Sequence, residues 1–95
     1  MKILVNAKIT ALEDEHTMKA SGRDLQCANA ILECGQGGDF ICAGVYGKDR
    51  ITVLRQKMLA GKPVDLILFI LGKVAAGKNG GTIYVNTVTV KWILS

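Results

Sequence analysis

Phe40-Ile41-Cys42-Ala43-Gly44-Val45-Tyr46-Gly47-Lys48 is the stretch on which the fold turns. In an extended chain Ile41, Ala43 and Val45 share one face, while Phe40, Cys42, Gly44 and Tyr46 share the other, so this is a strand with two faces of different kind. Beyond it, Asp49 can serve as an N-cap, and Ile51, Leu54 and Met58 recur at helical spacing before Gly61 and Pro63 close the segment. Val64 to Lys73 reads as a strand again. A strand, one short helix and a further strand therefore form the middle of the chain.

Working outward, Lys2 to Leu12 places Ile3, Val5, Ala7, Ile9 and Ala11 on one face, the pattern of a first strand. Glu13 to Gly22 is polar and breaks that alternation. Leu25 to Cys34 reads as strand two, and Gly35-Gln36-Gly37-Gly38-Asp39 as a tight connection into the strand quoted above. After strand four, Asn79-Gly80 is the strongest two-residue hairpin signal, and Thr82 to Leu94 is a long segment rich in Val, Ile and Thr. The order βββαββ predicts an all-β protein, a five-stranded OB-fold barrel with one short helix between strands three and four. At 95 residues the chain closes one core and forms a single domain over 1–95.

Composition narrows the function classes. Apolar residues make up 49% of the chain and charged residues 21%, which fits a packed globule and not a disordered tail. The longest apolar run, Leu66 to Leu71, is far too short to span a bilayer, and Met1 to Asn6 is too short for the apolar part of a secretory signal. A cytoplasmic protein with no membrane partner is expected. Cys27, Cys34 and Cys42 include no C-x-x-C pair, and the sole histidine, His16, falls in the polar stretch, so buried free thiols are expected and no metal or other cofactor. Twelve Lys and Arg against eight Asp and Glu give a net charge of +4, which favours a polyanionic partner without naming one.

From Phe40 onward the sequence resembles bacterial single-stranded-DNA-binding proteins. The likeness rests on the aromatic-led third strand ending in Tyr46-Gly47-Lys48, on the helix with Leu54 and Leu59 followed by Gly61-Lys62-Pro63-Val64, and on the glycine-containing hairpin of Gly77 to Val85. It covers about two-thirds of the chain; strands one and two match in pattern alone. The resemblance implies binding of single-stranded DNA or RNA without strong sequence preference, in replication, repair or recombination, by a homodimer or homotetramer. Two aromatic platforms common in that family are missing, one of them where this chain has Ala75. With Ser95 directly after strand five, the acidic-ending tail through which the family recruits partners is not expected, and the short form is similar to the primosomal replication protein B subgroup.

Single strands are held by cations that follow the phosphates and by aromatic faces on which bases stack. Phe40 and Tyr46 supply the faces, with small Cys42 and Gly44 between them. Lys48 and Arg50 directly after strand three, Lys73 and Lys78 around the last hairpin, and Lys8 on strand one supply the cations; Lys19 and Arg23 are further candidates. Tyr84 and Trp92 share the even-numbered face with Val88 and Val90 and read as core or interface. Strand four is apolar on both faces, so Ile67, Phe69 and Leu71 are expected to meet another subunit. Gly72 to Asn79 nearly spells a phosphate loop, yet its last position lacks the hydroxyl that meets magnesium. No catalytic residues are assigned: His16 beside Glu13, Asp14 and Glu15 is more simply a solvated stretch than an acid–base pair. The sparse aromatics and the two-sided strand four equally fit an OB barrel that serves as a protein-interaction or structural module without nucleic acid.

Overall fold

Strict alternation is strongest where one face of a strand meets the interior, and in this chain it winds five strands around one apolar centre. The computed structural model describes residues 1–35 and 38–94, with the side chains of Lys73, Ala75, Lys78 and Tyr84 outside the description. The elements are β1 (Lys2–Ala20), β2 (Arg23–Cys34), β3 (Asp39–Tyr46), α1 (Lys48–Ala60), β4 (Val64–Ala76) and β5 (Thr82–Ile93). Antiparallel ladders join β1 to β2, β2 to β3, β1 to β4 and β4 to β5. A parallel contact between Gly44 and Thr89 brings β3 to β5 and completes a closed barrel in the order β1-β2-β3-β5-β4. This is the OB arrangement expected from the order of elements.

The interior is lined by Ile9 of β1, Ala28, Ala30 and Leu32 of β2, Ala43 and Val45 of β3, Leu66 and Leu68 of β4 and Val90 of β5. Alanine at three of these positions keeps the β2–β3 wall thin, so the bulk comes from the leucines opposite. The helix α1 packs against β1, β2 and β3 and turns Ile51 and Leu54 into the same core. Leu54, fully buried, contributes about 1.5–3 kcal/mol by its transfer from water. Gly61 ends the helix in the left-handed region at φ 71°, where its N–H donates to the carbonyls of Lys57 and Met58 at 3.2 and 3.1 Å.

Several elements differ from the sequence reading. The first strand does not end at Leu12: β1 continues through the polar stretch to Ala20, paired with β2 through register shifts between Ile9 and Ala11 and between Glu13 and His16. Glu13 to Lys19 are exposed on both faces, so no burial imposes alternation on them. His16 consequently lies in a strand, its Nδ1 donating to the carbonyl of Asp14 at 2.6 Å, and Glu15 forms an ion pair with Arg55 that ties β1 to α1. Asp49 is not the N-cap. Gly47 holds that place without a side-chain hydrogen bond, and Asp49 sits in the first turn, where its charge favours the helix dipole.

Asn79-Gly80 does not form a two-residue hairpin. The two residues take consecutive positive φ values of 64° and 78°, but within a longer connection that contains a 3-10 turn over Lys78–Gly80. Gly77 N–H donates to Gly81 O at 2.6 Å across its base. Gly72 to Ala76 belong to β4, so the pattern resembling a phosphate loop opens no α-helix. Among the described residues no helix is long and apolar enough to cross a membrane.

Candidate nucleic-acid interface

Because Ala43 and Val45 point into the barrel, Phe40, Cys42, Gly44 and Tyr46 point out of it. Phe40 is 60% exposed and Tyr46 41%. They stand six residues apart on one strand, roughly 20 Å at ordinary strand rise. The glycine between them has a definite task. A Cβ at Gly44 would lie 3.3 Å from Tyr46 Cε2, 3.5 Å from its Oη and 3.6 Å from its Cζ, so the ring lies back over Gly44. Tyr46 is thus a part-exposed ring beside the sheet, and the more exposed Phe40 stands at the other end of the strand.

The cross-strand register places Phe40 opposite Glu33, Cys42 opposite Ile31, Gly44 opposite Asn29 and Tyr46 opposite the buried Cys27. One strand further, Lys8 pairs with Glu33, so Lys8, Glu33 and Phe40 form one row over three strands. At the Tyr46 end, Lys48 and Arg50 are exposed in the first turn of α1, and Arg50 Nη1 donates to Tyr46 O at 3.1 Å. Tyr46 to Arg50 line one shallow hollow. Phe40, Tyr46, Lys48, Arg50 and Lys8 are therefore gathered on one side of the barrel, with cations at both ends of the aromatic pair.

Other sequence candidates fall elsewhere. Lys73 and Lys78 belong by backbone to β4 and to the turn before β5, and their side chains lie outside the described residues. Lys19 sits at the tip of the β1–β2 hairpin in an exposed ion pair with Asp24 at 2.8 Å. Ile67 and Phe69 are half-buried and Leu71 is 47% exposed, all on the outer face of β4.

Sequence reasoning missed three features of this surface. Acids lie beside it: Glu13 is opposite Asn29, and Asn29 Nδ2 donates to Asp14 Oδ2 at 3.3 Å. A phosphate path is therefore favoured along β3 and disfavoured across the central part of β1. Cys42 is exposed, contrary to the expectation of buried thiols, because its even position shares the outer face with Phe40 and Tyr46. Cys34 is half-buried, and burial followed by the charge of Asp39 pushes its thiol pKa up.

Of the two readings of Trp92, core or interface, the structure removes the core. A register shift between Ile67 and Leu68 of β4 pairs Ile67 with Trp92 and Leu68 with Val90, leaving Lys91 as the extra residue of a bulge. Parity reverses there: Val90 is buried, Trp92 is 46% exposed, and Ile93 packs against the core.

Compared with protein-family models and with curated proteins, the chain matches none of either.

Proposed function

We propose that this barrel binds single-stranded DNA without strong sequence preference over the outer face of β2 and β3. The observation that carries the reading is the pair Phe40 and Tyr46, exposed on one strand face with only Cys42 and Gly44 between them. Flat ring faces accept any base, since every base has a π-face, and the small residues between them leave room for bases to approach the sheet. Lys48 and Arg50 at one end and Lys8 at the other meet the phosphates. Glu13 and Asp14 bound the path on the β1 side near Asn29 by repulsion, while Glu33 lies between Lys8 and Phe40 with a cation beside it.

The test is an anisotropy titration of a labelled single-stranded oligonucleotide at low and raised salt. Saturable binding that weakens as salt rises supports the reading, because released counterions drive phosphate contacts. Absence of binding at low salt overturns it and leaves the protein-interaction barrel as the alternative.

A further inference from the structure

The outer surface of β1, β4 and β5 carries a second group of aromatic and cationic side chains. Leu4, Ile67 and Trp92 form one cross-strand row, and Lys2, Phe69 and Thr89 form the next. Lys2 Nζ lies 4.8 Å and Lys91 Nζ 5.6 Å from the centroid of the Trp92 ring. The acid nearest this group in the register, Asp65, lies in the row beyond Leu4, where its Oδ1 accepts from Asn6 Nδ2 at 2.9 Å. An exposed indole with two ammonium groups over it is a base platform with phosphate ligands beside it. Both lysines are exposed, so either can leave the ring for a phosphate when a base arrives, and a lysine–ring contact at an exposed site is weaker than a base stack.

This group is joined to the face described above. Along β1 the outward residues are Lys2, Leu4, Asn6 and Lys8, all exposed, and Lys8 ends the row Phe40–Glu33–Lys8, where it stands beside Glu33 and offsets its charge at the crossing. Because β1 and β3 both pair antiparallel with β2, a path running from Tyr46 to Phe40 continues in the same direction from Lys8 to Lys2. That second leg is again roughly 20 Å long. It leaves β1 before the acidic stretch that begins at Glu13.

We propose that a bound single strand continues from Phe40 along the outer edge of β1 to Trp92, where a base stacks on the indole and Lys2 and Lys91 hold the adjoining phosphates. This inference rests on the single-strand reading of the β2–β3 face and adds a second station to it. The apolar neighbours Leu4, Ile67 and Leu71 would also suit a second copy of the chain. A symmetric contact centred on Trp92, however, would bring the Lys2 and Lys91 pairs of both copies together, and like charges oppose that arrangement. A polyanion is the complementary occupant.

Trp92 is the sole tryptophan, so its emission reports on this station alone. The probes are labelled oligothymidylates of about 4 and about 16 nucleotides, the two ends of the range of site sizes for barrels of this kind. Both should bind by anisotropy, but only the longer should quench Trp92. Trp92→Leu should weaken the longer probe about tenfold and leave the shorter unchanged. Lys2→Gln with Lys91→Gln should make the salt slope of the longer probe shallower by about 1.4. Trp92 is half-exposed, and thermal melting of Trp92→Leu checks that the barrel is intact.

Binding of both probes with unaltered Trp92 emission and no effect of Trp92→Leu overturns the second station while leaving the first in place. Binding of neither probe overturns both. Emission that shifts on dilution of the protein, but not on addition of oligonucleotide, assigns the face to self-association and also overturns the proposal.

Discussion

Replacing Phe40 and Tyr46 together by leucine removes both ring faces of the β3 platform while keeping apolar bulk at each position. Base stacking on an aromatic contributes about 1–3 kcal/mol per base. The Tyr46 ring lies against Gly44 and is only part-exposed, which holds its share near the lower part of that range, and leucine retains some contact at both sites. About 1–2 kcal/mol for each residue follows. The two rings stand roughly 20 Å apart, well beyond the separation at which neighbouring substitutions couple, so the losses should add to about 2–4 kcal/mol. Affinity for an oligonucleotide should then fall roughly 30- to 1,000-fold, while the salt slope, set by Lys8, Lys48 and Arg50, stays the same. Both side chains are exposed, so stability should change by no more than about 0.5 kcal/mol in a denaturant titration. The assay is anisotropy of a labelled oligonucleotide with each single variant and the double one. A folded double-leucine variant that binds as tightly as wild type would refute stacking at these positions.

Three further outcomes rest on the same structure. Gly44→Val inserts a branched side chain where the Tyr46 ring lies, and binding should weaken about fivefold, as expected for loss of the lower end of one stack, with an unaltered or higher melting temperature. Equal binding would show that the posture of the ring is immaterial. Leu54→Ala empties a fully buried position between α1 and the barrel and should cost about 2–5 kcal/mol by chemical denaturation, whereas a loss below about 1 kcal/mol would contradict the packing. Cys42 should be alkylated first and be protected by a bound oligonucleotide. Cys27 is buried, and Cys34, with its thiol pKa raised, keeps its proton at pH values where an ordinary thiol begins to ionise. Labelling of Cys42 at the same rate with and without oligonucleotide would remove it from the covered face.

The parts of this fold legible in the sequence are those where one face of an element is buried. Ile41, Ala43 and Val45 announced β3 and its outward Phe40 and Tyr46 because the barrel interior demands apolar residues at alternate positions. Ile51 and Leu54 likewise marked the buried side of α1. The extension of β1 past Leu12 was hidden because Glu13 to Lys19 are exposed on both faces, so pairing with β2 leaves no apolar period. The outward position of Trp92 was hidden for a different reason. A single bulge at Lys91 reverses parity, and counting by twos puts every later residue of β5 on the wrong side. At the candidate site, chain proximity placed Lys48 and Arg50 correctly beside Tyr46. The positions of Lys8 and Glu33 next to Phe40 depend on register across three strands, which local pattern does not contain.

The most direct measurement is the affinity of the wild-type protein for a labelled single-stranded oligonucleotide at about 50 mM and about 200 mM salt. With three phosphate contacts, from Lys8, Lys48 and Arg50, the slope for a single strand is about −2, so affinity should fall about 20-fold between the two conditions, and further if Lys2 and Lys91 also engage. Saturable binding at low salt with a fall of that size is the expected result. No binding at low salt, or an affinity indifferent to salt, would contradict single-strand recognition by this barrel.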